Sequence, residues 1–423
     1  MDHNRDKKAG KEKRQIEKMN ILIHTDEYYP TAQACSYRMQ VFADTFMALG
    51  DTVVVVTSAA NKANGTVDIK LHKERIVYSP AVRMTKKTTV MRMLNNLSFG
   101  ITSIFAAIGT GKIDVVITTS PPPLVSIPGW IIAKYKGAKL VYDVRDIWPD
   151  VALEMGSFSE DGFFCKVFKT IAGFMYKHAD KVTTVSPGKV KKIKGHVSAI
   201  RGRKSGPGHT DKVWFVGNGF DESVVDSEFD QSIVDLYELD KKFTCVYIGN
   251  IGLAQGLGTL LDVAAKTKHK DVQFLCFGMG AEKEMLEQRV RDEGLTNVRF
   301  CGIVDHSKVY SILSSSKLSF IPLKNSKMKD SVPTKVYESL GIGCPVLLVA
   351  EGDSAAIVDE TGLGRHISPD ETEKLVDVFD DMIEHYSELE KHRDDAVRIM
   401  HEKYSRQKIA EEFNKSLHRF CKK

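Results

Sequence analysis

Asp330 and Glu338 stand eight residues apart in KDSVPTKVYESLGIGCPVLL (329–348). Between them Pro333 opens a helix and Lys335 falls in its first turn; Gly343 and Pro345 then lead into an apolar strand. Ionised carboxylates at a helix end accept charge-assisted hydrogen bonds from sugar or ribose hydroxyls. The same spacing also fits two solvated surface acids. A second constellation, YIGNIGLAQGLGTLL (247–261), sets Gly249, Gly252 and Gly256 between a strand and a helix. There main-chain N–H groups and the helix N-terminus can approach an anionic phosphate, although a plain structural turn fits as well. FGMGAEKEML (277–286), with Gly278, is a similar turn for which the structural reading is favoured. The 13 histidines show no H-x-x-x-H or H-E-x-x-H spacing and the seven cysteines no C-x-x-C, so no metal site is expected.

These residues need strands and helices to position them. NILIHT (20–25) and TVVVVTS (52–58) are β-rich runs around a helical stretch, Tyr37 to Leu49, that ends at Gly50. DVVITT (114–119), a helix near 124–135, KLVYDV (139–144) and KVTTVS (181–186) continue the pattern. Their apolar runs are continuous rather than alternating, as in buried parallel strands. Lys189 to Lys212, rich in Gly and basic residues, reads as a surface loop or hinge. A second series follows: strands at 243–249, 272–278, 298–302, 318–323 and 345–350, with helices near 255–266 and 281–293. The fold class is therefore α/β, two Rossmann-like doubly wound domains in tandem. Residues 1–18 are a basic, disordered tail, 19–205 the first domain and 213–403 the second. The amphipathic 404–423 segment crosses back onto the first.

The 423 residues are 42% hydrophobic and 27% charged, which supports full cores and excludes a disordered or fibrous chain. The net charge is +5, but residues 1–18 carry seven basic and four acidic side chains, so the rest holds only +2. That balance does not imply a nucleic-acid partner. Seven scattered cysteines suit a reducing cytoplasm. No apolar run is long enough to span a membrane, the charged start has no signal-peptide core, and Met19 is an alternative translation start.

The 329–348 segment resembles the donor-binding motif of the retaining GT-B glycosyltransferases of family four. In that motif two acids are separated by seven residues ahead of an A-x-G-x-P-V strand entry. The resemblance runs from about residue 19 to the C-terminus, through DEYYP (26–30), ADKVTTVSPG (179–188), FVGNGFD (215–221) and EKYS (402–405). GNIGLAQGL, VRDIWPD and PTKVYESLGIGCPVL look like the subgroup that builds O-antigen, capsule and colanic-acid-type polysaccharides, including N-acetyl-fucosamine transferases.

The resemblance implies a cleft between the two domains, with nucleotide sugar on the second and acceptor mainly on the first. Glu338 would hold the ribose hydroxyls and Asp330 those of the transferred sugar. Ser331, Val332, Pro333, Thr334 and Lys335, with Gly249, Asn250, Gly252, Gln255, Gly256 and Gly278, would surround the donor. Arg145 and Asp146 would line the reaction centre. Tyr29, Gln33, Tyr37, Arg38, Trp148, Ser186 and Asn218 would lie on the acceptor side, with capping, turn or packing as the alternative for the last three. The chain departs from the pattern in three places. Asn250 and Gln255 stand where many relatives carry Arg and Lys, Asp330 replaces a glutamate, and Arg145 stands where many have histidine. Charge on the leaving phosphate then needs another cation, either Lys335 or Arg145.

The implied activity is a retaining transfer of an N-acetylated or deoxy hexose from a UDP-sugar to a polyprenyl-diphosphate-linked saccharide. It would take place on the cytoplasmic face of the plasma membrane, with UDP-sugar as substrate and no metal or other cofactor. From Ser79 to Ile113 five basic residues and no acids are interleaved with large apolar ones. Such a segment suits an anionic bilayer surface, or else an ordinary core helix with a solvated face. The alternatives are a nucleotide-sugar epimerase or hydrolase and a non-catalytic sugar-nucleotide-binding subunit. A nicotinamide dehydrogenase is disfavoured because neither half has a full G-x-G-x-x-G after its first strand.

Overall fold

The first domain is a seven-stranded parallel sheet in the order β3-β2-β1-β4-β5-β6-β7. Its strands are β1 (Asn20–His24), β2 (Thr52–Ser58), β3 (Arg75–Ser79), β4 (Val115–Ser120), β5 (Lys139–Val144), β6 (Lys181–Thr184) and β7 (Val213–Phe215). The second holds six parallel strands in the order β10-β9-β8-β11-β12-β13. These are β8 (Thr244–Ile248), β9 (Gln273–Phe277), β10 (Val298–Gly302), β11 (Leu318–Pro322), β12 (Val346–Val349) and β13 (Gly364–Ile367). The structure, a computed structural model, describes residues 18–28, 34–61, 73–84, 88–201 and 212–422. Residues 1–17 of the expected tail, Tyr29 and Gln33 lie outside them.

Helices cover both faces of each sheet, so a central strand meets apolar side chains above and below and reads as an unbroken apolar run. In the first sheet Ile21 pairs with Val53 on one side and Val115 on the other, and all three side chains are buried. In the second, Phe320 pairs with Leu347 in the same way. Strand order reverses between β1 and β4 and again between β8 and β11. Beyond the carboxyl ends of such strands the flanking loops diverge and leave a crevice.

Of the expected loop Lys189–Lys212, residues 189–201 belong to a helix, Pro187–Arg201; 202–211 lie outside the described residues. The Ser186 hydroxyl caps it by accepting from the Lys189 N–H at 3.3 Å. Ile193 and Val197 turn under, and the lysine stems need only their ammonium groups near water. A sparse apolar stripe therefore suffices.

The C-terminal helix Arg406–Cys421 packs on the first domain, with Phe413 against Phe42 and Phe46 at ring distances of 5.3 and 5.8 Å. Buried Asp51 accepts from the Met19 N–H (2.9 Å), Asn414 Nδ2 (2.6 Å) and His418 Nε2 (3.0 Å). One carboxylate thus ties the first strand to the last helix. Replacing Asp51 by Ala strips an acceptor from three buried donors, and we expect a loss of roughly 2–4 kcal/mol. Calorimetry should show a clearly lowered melting transition of the first domain, and an unchanged one would contradict this account.

Candidate active site

At the β8–β11 crevice the loops after these strands meet: the Lys324 N–H donates to Ala254 O at 3.0 Å. The Gly249 N–H donates to Phe277 O and the Ile251 N–H to Met279 O, both at 2.9 Å, so the loop after β9 that carries Gly278 braces the glycine loop. Gly249 has φ +147°, and a Cβ there would lie 2.8 Å from Lys335 Nζ. That positive φ favours glycine, and the bare Cα lets the ammonium lie close to the backbone.

Lys335 Nζ donates to Tyr247 Oη at 3.0 Å and sits 4.1 Å from the centre of its ring. Tyr247 Oη in turn donates to Asn250 O. Burial lowers the lysine to about 8, against the pull of Glu338. Lys335 forms no ion pair among the described residues, so this partly desolvated cation has no carboxylate of its own. The helix Thr334–Ile342 starts here after Pro333, and its first-turn N–H groups add positive potential. The Ser331 N–H is held by Met328 O and Val332 is buried, so neither the Ser331 amide nor the Val332 side chain is open to a ligand. Asn250 Nδ2 lies against Gly252, next to Gln255. Gln255 Oε1 is buried without a hydrogen-bond partner, and Gly256 abuts Lys324.

Glu338, one turn beyond Lys335, accepts no hydrogen bond among the described residues. Burial raises its pKa; Arg406, His306 and Lys335 pull it down, and Asp221 pushes it up. Asp330 is nearly buried against the first domain. Its side chain is 8% exposed, with Oδ2 2.8 Å from Lys192 Nζ of the first domain.

At the β1–β4 crevice Arg145 donates from Nη2 to Pro121 O at 2.7 Å and is surrounded by the charges of Asp146, Asp26 and Asp143. Burial and the neighbouring Glu27 raise Asp26 to about 7 in spite of Arg145. Glu27 is also raised by burial. Burial pushes Asp146 up too, but Lys189, 3.0 Å away, and Arg145 outweigh it and hold Asp146 below the ordinary carboxylate value. Of the two candidate cations, Lys335 lies at the glycine loop and Arg145 among the carboxylates of the first domain.

Four expected acceptor-side residues are held in structural contacts. Arg38 is buried, donating to Gly217 O (2.5 Å), Val216 O (2.8 Å), Asn218 Oδ1 (3.3 Å) and Asp143 Oδ1 (3.2 Å), so both it and the Asn218 side chain fix the crossing between the domains. Trp148 packs edge-on against Phe158 and Phe168. Ser186 is buried as a cap and donates to Asp330 O. Tyr37 stacks on His306 across the domains at 5.0 Å. Sequence reasoning gave no individual role to Asp26, Glu27, Lys189, Lys192 or His306. The acid pair at the end of β1, at the start of DEYYP, was the available signal for the first two.

Residues 229–399 match the family model described as "Glycosyl transferases group 1". Over 275 residues the chain is 22% identical to WbjE of Pseudomonas aeruginosa, assigned as a glycosyltransferase; the alignment covers 64% of this chain and 66%, just under two thirds, of WbjE. It is 26% identical over 303 residues to WcaI of Escherichia coli K12, assigned as a glycosyl transferase of colanic acid biosynthesis, covering 68% and 71%. Among solved structures, Anabaena HepE in complex with UDP and glucose superposes with a TM-score of 0.71 at 15% identity, over 94% of this chain and 99% of that one. The two facing parallel-sheet domains thus share the GT-B fold of HepE, and residues 229–399, the half that carries Lys335 and Glu338, match the glycosyl transferases group 1 model.

Proposed function

We propose that the chain transfers a hexose, N-acetylated or deoxy, from a UDP-sugar, with retention of configuration, to a polyprenyl-diphosphate-linked saccharide during synthesis of an O-antigen- or capsule-type polysaccharide. The observation that carries the donor side is Lys335, a partly desolvated ammonium without a carboxylate partner, beneath a glycine loop and at a helix N-terminus. Such a site suits a diphosphate. Glu338 then accepts from the ribose hydroxyls. HepE binds UDP and glucose and WcaI is assigned to colanic acid synthesis, and both support this reading.

In the reaction the bond from C1 to the β-phosphate oxygen breaks, its electron pair leaving with UDP. The acceptor oxygen bonds to C1 on the same face, and its proton passes to the departing phosphate. Lys335 and the main-chain N–H groups stabilise the charge that grows on that phosphate, which needs no metal. Asp146, held ionised by Lys189, orients the acceptor hydroxyl.

The acceptor side rests on the helix Thr89–Ile108. Asn95, Phe99 and Ser103 face the interior, while Val90, Leu94, Leu97, Ile101, Phe105 and Ile108 are exposed, Phe105 by 66%. This reversed amphipathicity runs for about 27 Å at 1.5 Å per residue. With no acid from 79 to 113, it fits an anionic lipid surface on which the chain docks peripherally, at the cytoplasmic leaflet. No helix among the described residues is long and apolar enough to cross a membrane.

The test is a panel of UDP-sugars with a synthetic lipid-diphosphate saccharide, read as UDP release and product mass. Release should require acceptor, and Glu338→Ala should lower kcat/KM by about a hundredfold or more. Release without acceptor would instead indicate an epimerase or hydrolase, and unchanged turnover in the variant would remove Glu338 from the site. Calorimetric UDP affinity should be flat between about pH 7 and 8, where the terminal phosphate is already ionised, and weaken above it, because the lysine that attracts the diphosphate loses its proton there. The weakening should approach tenfold per pH unit and disappear in Lys335→Met. Cosedimentation should show binding to phosphatidylglycerol vesicles but not to pure phosphatidylcholine. Ile101→Asp with Phe105→Asp should weaken it about tenfold or more while leaving UDP affinity unchanged.

A further inference from the structure

The Asp330 carboxylate belongs to the donor domain by sequence, yet its surroundings come from the other one. Ser186 Oγ donates to Asp330 O and the Gly188 N–H donates to Asp353 Oδ2, both at 2.7 Å. A Cβ on Gly188 would lie 2.8 Å from Asp330 Cβ and from Asp353 Oδ2, so only glycine permits this approach. One turn further along the same helix, Lys192 Nζ lies 2.8 Å from Asp330 Oδ2 and 2.7 Å from Glu154 Oε1. A second strap runs from Asn325 Nδ2 to Glu154 O at 3.3 Å.

The ammonium therefore occupies one oxygen of a nearly buried carboxylate and fixes its plane, while Oδ1 accepts no hydrogen bond among the described residues. We propose that Lys192 is a positioning residue of the acceptor domain. By clamping Asp330 Oδ2 it presents Oδ1 to a hydroxyl of the transferred sugar, so this part of the donor site is complete only when the two domains are closed. The proposal rests on the donor reading above, in which Asp330 meets the sugar. Its charge logic is local: one ammonium shared by two carboxylates stays ionised and hydrogen-bonded on both sides, which a partly buried lysine requires.

The test compares Lys192→Met, Lys192→Arg, Asp330→Asn and the Met/Asn double variant. Lys192→Met should lower kcat at least about tenfold while UDP affinity moves less than about threefold, because Lys335 and the glycine loop are untouched. Lys192→Arg should recover kcat to within about threefold. The double variant should be no slower than Asp330→Asn alone, since the two side chains act as a unit. Without ligand, the 329–332 amides should exchange hydrogen faster in Lys192→Met than in the parent chain. Unchanged kcat and exchange in Lys192→Met, an arginine variant as slow as the methionine one, or losses that simply add would each overturn the proposal. The exchange arm needs no turnover. If the parent chain uses no UDP-sugar, the donor reading falls, and exchange alone decides whether Lys192 clamps the domains.

Discussion

Two buried guanidinium groups hold the places where the chain passes between its sheets, and the cleft depends on them. Arg38 gathers the carbonyls of Val216 and Gly217 and pairs with Asp143. Arg406 gathers the carbonyls of Asn218 and Gly219 and pairs with Asp221 at 2.7 Å. The outgoing and returning crossings also bond to each other, the Phe220 N–H to Tyr404 O and the Arg406 N–H to Phe220 O. A buried charge is tolerable only when it is paired and most of its hydrogen bonds are made; Arg38 Nε and Asp143 Oδ2 are left without a partner among the described residues. Both arginines therefore hold the crossing backbone near one geometry, and so the carboxyl ends of the two sheets near one separation.

Across that separation the charges divide by task. The second domain offers a cation and main-chain donors, with Lys335 at the glycine loop. The first concentrates acids, with Asp26, Glu27 and Asp146 around Arg145. Glycosyl transfer leaves negative charge on a phosphate and develops positive charge at a sugar carbon, so this partition opposes neither change. It also accounts for the lost basic residues at Asn250 and Gln255. Lys335 approaches the same loop and lies close to the backbone at Gly249.

The strands were legible because a parallel sheet covered on both faces leaves unbroken apolar runs, and the site loops followed from where those strands end. β3 and β13 were harder to read. Both lie at sheet edges, and RIVYS and GRHI carry polar residues that a central strand would exclude. The helix at 187–201 was hidden because lysines dominate it and only a few apolar positions face inward. In the site, the family resemblance rather than residue type singled out Lys335 and Glu338. Neither could show that Arg38 turns inward or that Asp330 is covered by Lys192. Those outcomes depend on contacts between residues more than a hundred positions apart. The elevated pKa of Asp26 was equally invisible, since it comes from burial beside Glu27 and not from any spacing.

That last property bears on what the first domain can recognise. A carboxyl that titrates near 7 carries a proton about half the time at neutral pH. It can therefore donate one hydrogen bond and accept another, which suits a neutral hydroxyl, itself both donor and acceptor. An ionised acid would accept only, and a lysine would donate only. Asp146, kept ionised by Lys189, supplies the acceptor-only partner beside it. A sugar hydroxyl entering this crevice thus meets one group that matches either polarity and one that aligns its proton. An anion would meet the acids Asp26, Glu27 and Asp146, with Arg145 and an ammonium already paired to Asp146 as the cations beside them. On the proposed function, the same arithmetic that suits the second domain to a diphosphate makes the first a poor site for one, and charge would sort the two substrates between the lobes before any contact with the sugar rings is made.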